Sequence, residues 1–286
     1  MGESLANADP VPVFDVARLL DTASVSVRDV RCRGECRHRS AEECSAHTHL
    51  VFPYRGVYLR HVGNAQAVAD ANHVLLFNAG EGYRVSHPVD GGDSNLTLDL
   101  AEPLLHELAP RELARRDGEP GFRHQALRID ARAQALVALL RHALHRGSIE
   151  ALEAESLALT LASRSLGPRT ARTPGATHAR QRLVDRAKLL LASDLGRRWT
   201  LADIAAEVGG SAVYLTQAFR QVEGMPLYRY QLQLRLARAL DLLDRDVDLS
   251  SLAQDLGFSS HSHFAAAFHQ AYGRTPSAFR DAAADR

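Results

Sequence analysis

A chain of 286 residues is long enough for two domains with separate cores. Its 45% hydrophobic content is ordinary for a soluble globular protein, and a net charge of +0 excludes a global basic field as the means of attracting nucleic acid. No apolar run approaches the ~20 residues of a membrane span, and the N-terminus lacks a secretory pattern, so the expectation is a cytoplasmic chain with no membrane partner.

Residues 1–12 are polar and carry proline, which reads as a loose arm. Short apolar-alternating segments follow at 25–30, 49–52, 57–62, 65–68, 73–77, 83–85 and 95–98, divided by Gly, Asn and Pro. Such segments predict an antiparallel barrel or sandwich, with Gly63-Asn64 and the run 90–93 as hairpin turns. Helical spacing then takes over at 102–116, 129–146 and 149–164, with Gly147 separating the last two into a hairpin. The leucines of that hairpin exceed what a small barrel would cover. A Pro/Gly/Thr/Arg-rich stretch, 167–179, reads as a linker. The expected fold class is α+β, in three parts. An N-terminal domain covers 1–166, with an antiparallel β-barrel at about 13–100 and helices at about 102–165. The linker comes next, then an all-α domain over 180–286.

The all-α part opens with a lead helix at 182–195 and Trp199, then contains one helical unit twice. The first copy runs through 200–209 and 211–219 and closes at Gly224; the second runs through 249–257 and 260–268 and closes at Gly273. In each, an apolar-periodic helix stops at Gly and a Ser caps the next, which is helix-turn-helix grammar. Between the copies, Leu232, Leu236, Ala239, Leu240 and Leu243 recur at helical spacing after Pro226. A rod of about 17 residues spans roughly 25 Å. That is on the scale of the ~34 Å between successive major grooves.

The residues from 182 to 280 resemble the DNA-binding domain of the AraC/XylS transcription regulators. The match is carried by Leu201, Ile204, Ala205, Tyr214, Leu215, Phe219, Gly224, Pro226, the run 235–243, Leu252, Ala253, Gly257, Phe258, Ser259, Phe264, Phe268, Gly273, Thr275, Pro276, Phe279 and Arg280. The resemblance implies a cupin-like sensor barrel with a helical pair that can form a homodimer, followed by the DNA-binding domain. It implies no enzymatic activity and a DNA-binding regulator, in most such cases an activator. Its partners would be double-stranded DNA, RNA polymerase, and a small-molecule or metal effector at the N-terminal domain.

In a helix-turn-helix the second helix enters the major groove with its N-terminal side chains at base edges. The family pattern carried onto this chain picks Val213, Thr216 and Gln217 in the first unit, and His261 and Ser262 in the second. Gln217 can bond an adenine edge, Thr216 several bases, and Val213 a thymine methyl. Tyr214, Leu215 and Phe219 are expected in the core. Ala265 and Ala266 stand where a long polar side chain is usual, so the second helix is expected to position more than to read. Residues 179–286 hold fourteen Lys or Arg against twelve Asp or Glu, so phosphate contacts must come from placed arginines. The candidates are Arg220, Arg235, Arg238, Arg274 and Arg280; Arg235 and Arg238 also read as structural, because Asp241, Asp244 and Asp246 follow them.

The N-terminal half carries Cys32, Cys36, His38, Cys44, His47 and His49 in one short segment, with His87 beyond it. Thiolates and imidazoles together suit zinc or another transition metal. Without a paired Cys-x-x-Cys, two readings stay open: a metal or thiol sensor using Cys32, Cys36, Cys44, His47, His49 and His87, or small residues packed without a ligand. His47-x-His49 with His87 also resembles the cupin metal signature, but no Glu follows within 51–55, which argues against a metalloenzyme. Asp90 to Asp93 reads as a turn rather than a cation loop.

Overall fold

The computed structural model describes residues 14–34, 37–115, 121–167, 177–243 and 247–284. The arm at 1–12 and most of the linker, residues 168–176, lie outside the described residues.

The N-terminal strands are β1 (Phe14–Asp21), β2 (Val25–Cys32), β3 (Glu43–Cys44), β4 (His49–Gly56), β5 (Tyr58–Val62), β6 (Ala65–Ala69), β7 (His73–Phe77), β8 (Gly82–Ser86), β9 (Asp93–Leu100) and β10 (Ala126–Arg128). They do not close into one barrel. They form a six-stranded sheet in the order β1-β2-β9-β4-β7-β10 and a four-stranded sheet in the order β3-β8-β5-β6, with antiparallel pairing in each. Strand β7 shows why. All five of its residues are buried, so both its faces are covered. Val74 and Leu76 enter the core shared with the helices, whereas Leu75 and Phe77 pack with Val51 and Tyr58 toward the second sheet. The space between the sheets holds Arg60, 0% exposed, whose Nη1 donates to the Leu76 carbonyl at 2.8 Å while its guanidinium lies 3.9 Å from the Phe77 ring centroid.

Helix α1 (Glu102–Leu108) is shorter than the sequence predicts. Pro110 biases the preceding Ala109 to extended backbone (φ −82°, ψ 120°), and only a 3-10 turn, Arg111–Leu113, follows. Helices α2 (Ala131–Arg146) and α3 (Ala151–Leu166) form the expected hairpin, with Asp130 capping the first and Gly147 (φ 61°) ending it. Ala154, Ala158 and Ala162 let α3 approach closely, so that Val137, Leu140 and Leu161 join the sheet residues Val27, Leu50 and Leu98 in one core.

The C-terminal part contains α4 (His178–Ser193), α5 (Leu201–Val208), α6 (Ala212–Glu223), the rod α7 (Leu227–Leu242), α8 (Leu249–Asp255), α9 (His261–Tyr272) and α10 (Pro276–Ala284). Thr200 and Asp203 make a reciprocal capping box for α5. Ser211 and Ser260 cap α6 and α9 as expected. Each unit has its own core. Ile204, Val208, Leu215 and Phe219 build the first, Leu252, Phe258, Phe264 and Phe268 the second, and α7 contributes Leu234 to one and Leu236 and Leu240 to the other. Among the described residues no helix is long and apolar enough to cross a membrane.

Candidate nucleic-acid interface

The amphipathic spacing of α6 sends Leu215, Ala218, Phe219 and Val222 into the core and leaves Val213, 68% exposed, and Gln217 facing outward. Thr216 is half-buried and its hydroxyl donates to the Ala212 carbonyl at 2.9 Å, so toward a base it offers acceptor capacity. Tyr214 departs from expectation. It is 39% exposed, under the Arg180 guanidinium of α4 (5.9 Å to the ring centroid), because position three of the helix lies outside the buried stripe. On α9, His261, Ser262 and Ala266 are exposed and Ala265 half-buried, while Phe264 and Phe268 are buried. His263, which the sequence reading passed over, is also exposed; its Nδ1 lies 3.0 Å from the Ser259 hydroxyl.

The arginines divide into two groups. Arg220 and Arg274 are exposed, and Arg280 is half-buried with Nη1 3.4 Å from the Val247 carbonyl. Arg235 does something other than meet phosphate: its guanidinium donates to the carbonyls of Leu195 (2.8 Å), Gly257 (3.2 Å) and Arg197 (2.8 Å), tying the segment after α4 to the turn of the second unit. A side chain at Gly257 (φ 74°) would begin 2.4 Å from the Gly196 carbonyl oxygen and 2.6 Å from Arg235 Nη2, so this turn needs glycine for space as well as for φ. Arg238 pairs with Asp241, the structural alternative in the sequence reading.

Helix α6 and the rod α7 are tied to the N-terminal domain through charges that the sequence does not announce. Asp241 of α7 is buried and receives Arg55 Nε from β4 at 3.0 Å, Arg141 Nη2 from α2 at 2.9 Å, and Arg238. Burial alone would raise the Asp241 carboxyl, but these guanidinium groups outweigh it and hold it below the usual range. Glu223, the last residue of α6, contacts Lys188 Nζ at 3.1 Å and His73 Nε2 of β7 at 3.5 Å, and its carbonyl accepts from Arg128 Nη1 at 2.5 Å. His73 Nδ1 in turn meets Asp70 at 2.8 Å, and Asp70 accepts from the Tyr230 hydroxyl at 2.5 Å. Here too burial opposes the charged carboxylate of Glu223, and Lys188 and His73 overcome it to lower its pKa. His73 is pushed down by burial and by Lys188, but Asp70 and Glu223 leave it raised.

The candidate metal ligands do not converge as the sequence grouped them. Cys36 lies outside the described residues. Cys44 and His47 are exposed, and His49 stacks on Phe77 at 4.9 Å with Nδ1 3.0 Å from the His47 carbonyl and 3.1 Å from the Ser45 hydroxyl. Burial lowers the His49 pKa. His87 sits instead with Cys32 and with Asp93, and this is the one group of three metal-ligating side chains that converges among the described residues. Burial opposes a charged His87, but Asp93 and Cys32 push its pKa up to about 9. Asp93 was weighed in the sequence only as part of a turn; its register partnership with Cys32 in the β2–β9 pair brings it to the cluster.

Residues 204–282 match the family described as Helix-turn-helix domain. The chain is 31% identical over 158 residues to the HTH-type transcriptional activator RhaR of Klebsiella pneumoniae subsp. pneumoniae, covering 55% of this chain and 50% of RhaR. It is 24% identical over 257 residues to LumQ of Photobacterium leiognathi, covering 85% and 95%. Thus the chain spans about half the length of RhaR and nearly all of LumQ. Among solved structures it is similar to a transcriptional regulator from Chromobacterium violaceum with an AraC-type DNA-binding domain, at 29% identity and a TM-score of 0.35, covering 38% of this chain and 97% of the other. Two capped units on one rod, with the matched motif running through both, make the C-terminal residues 204–282 a helix-turn-helix domain.

Proposed function

We propose that the protein is a sequence-specific DNA-binding transcription regulator, an activator, controlled through its N-terminal domain. The observation that carries this is the same on both units: the N-terminal side chains of α6 and α9 face solvent while the opposite faces are buried in separate cores joined by α7. Two outward helices on one rod suit two neighbouring major-groove segments. Val213, Thr216 and Gln217 read bases from the first unit, His261 and Ser262 from the second, and Arg220, Arg274 and Arg280 meet phosphates. Arg235 and Arg238 hold the domain together instead.

An effector would act through the buried charges at Asp241 and Glu223, because an effector shifts the equilibrium only through a difference in affinity between two domain arrangements. The name of RhaR, a transcriptional activator, supports activation as the direction of control, with RNA polymerase the partner that an activator would engage. A homodimer through the N-terminal domain is supported by an open groove along α2 and α3, lined by Leu136, Leu139, Leu159 and Leu152, the last 79% exposed. An enzyme is the reading least supported. Footprinting on DNA flanking the gene tests the proposal: two protected segments one helical turn apart on one face support it, and no sequence-selective protection at moderate salt overturns it.

A further inference from the structure

The structure assigns a zinc site to Cys32, His87 and Asp93, at the end of the N-terminal domain where the two sheets meet. Cys32 closes β2 and Asp93 opens β9, and the two are register partners in that antiparallel pair. Directly opposed residues on neighbouring strands present their side chains on the same face. His87 arrives from the other sheet, one residue past β8. The three donor atoms lie within 4.8 Å of one another, with His87 Nε2 2.6 Å from Asp93 Oδ2.

The backbone around the site is held tightly. A Cβ at Gly34 would stand 2.6 Å from Gly92 Cα, and one at Gly92 would stand 2.2 Å from the Cys32 carbonyl oxygen, so the two ligand-bearing segments touch through glycine. Asn95 Nδ2 donates to Asp93 Oδ1 at 2.5 Å, which turns Oδ2 toward the cluster, as outer partners of ligating carboxylates do. His87 Nδ1 and Asn95 Oδ1 are buried without hydrogen-bond partners, so the polar side of this pocket is incompletely satisfied. One thiolate, one imidazole and one carboxylate, a mixed soft-to-hard set, favour zinc over calcium or magnesium, which prefer oxygen donors. Bonds of about 2.0–2.3 Å around a tetrahedral ion separate donors by roughly 3.4 Å, so His87 and Asp93 must part by under about 1 Å. Three protein ligands leave a fourth position for water or an effector. By joining strands of both sheets, the ion would couple them, independently of whether α6 and α9 read DNA.

The test uses the full chain purified without a polyhistidine tag. Titration with Co(II) should saturate at one equivalent with a thiolate-to-cobalt charge-transfer band and the visible bands of a four-coordinate ion, and Zn(II) should displace it. Cys32→Ser should abolish the charge-transfer band, Cys44→Ser should keep it, and Asn95→Ala should weaken zinc about 10–100-fold in chelator competition. Far-UV circular dichroism monitors folding of each variant. A wild-type chain that takes up no equivalent, or one whose cobalt spectrum lacks the thiolate band, overturns the assignment whatever the variants do. Survival of the band in a folded Cys32→Ser, or its loss in Cys44→Ser, does the same.

Discussion

The two helix-turn-helix units share one local grammar and differ in how they are fastened to the rest of the molecule. Each has a Ser-capped second helix ending at a left-handed Gly, Gly224 or Gly273. The first is fastened by charge: Glu223, at the end of α6, sits against Lys188 and His73, and its carbonyl receives Arg128. The second is fastened mainly by apolar packing: Ala135, Ala138 and Leu139 of α2 enter its core, beside a 3.4 Å contact from the Tyr272 hydroxyl to Gln134. Local sequence grammar fixes how a unit folds but leaves open how it is coupled. A charged fastening is directional and titratable, whereas an apolar one is neither.

The comparison breaks most visibly at Glu223. Truncation to Ala leaves Lys188 buried without its paired carboxylate, while His73 keeps Asp70, and removing one partner of a buried pair costs about 3–5 kcal/mol. Urea denaturation should show a loss of that size, and the double variant Lys188→Met with Glu223→Leu should recover most of it, since well-packed apolar replacements of a buried pair are near neutral. A single-variant loss under about 1 kcal/mol would mean that the first unit is not fastened by charge at all.

Acidity sharpens the same contrast. Glu223 and Asp70 have folded-state pKa values below their unfolded ones, near 4. Their contribution to stability is therefore present above about pH 4 and is lost as pH falls through the lowered values. His73 behaves oppositely: its raised value makes its contribution complete below about pH 6.5 and lost as pH rises through that value. The groups facing this cluster are Lys188 and Asp185 from α4, Tyr230 from α7 and Arg128 from β10. Melting temperature against pH, wild type minus the double variant, should be largest above about pH 4.5 and shrink as pH falls through the lowered Glu223 value. A flat difference would refute the titratable link.

Periodicity made the C-terminal domain legible because each helix has one buried stripe and named caps. It failed in places where the decisive partner is remote. Asp241 looked like a neighbour of Arg238, which it is, but its other partners, Arg55 and Arg141, come from β4 and α2. Arg235 read as either a phosphate ligand or a structural residue, and nothing local shows that the carbonyls of Leu195, Arg197 and Gly257 converge on it. In the N-terminal half, alternation placed the strands but not their pairing. Hence the expected barrel is two sheets, and Asp93, read from the sequence as a turn residue, stands beside His87 in place of His47 and His49. The edge strand β1 escaped the alternation pattern because its residues are largely exposed.

On DNA the asymmetry should reappear at smaller scale. Gln217 is exposed on the outer face of α6, and Gln217→Ala should cost about 1–3 kcal/mol at its own base pair while relaxing preference there. Binding measured against operators mutated one pair at a time locates that position.

The smallest effect is expected at the matching face of α9. Ala266 is exposed and offers only a methyl group, and Ala265 is half-buried between Phe264 and the outer surface. A methyl can touch a thymine but cannot donate or accept, so it carries little discrimination among base pairs. Ala266→Ser adds a hydroxyl at an exposed helix position, where substitutions usually change stability by less than about 0.5 kcal/mol, and should leave the ranking of mutated operators unchanged. Should Ala266→Ser reorder that ranking as strongly as Gln217→Ala does, the second helix reads bases through its backbone approach, and the division between a reading unit and a positioning unit is wrong.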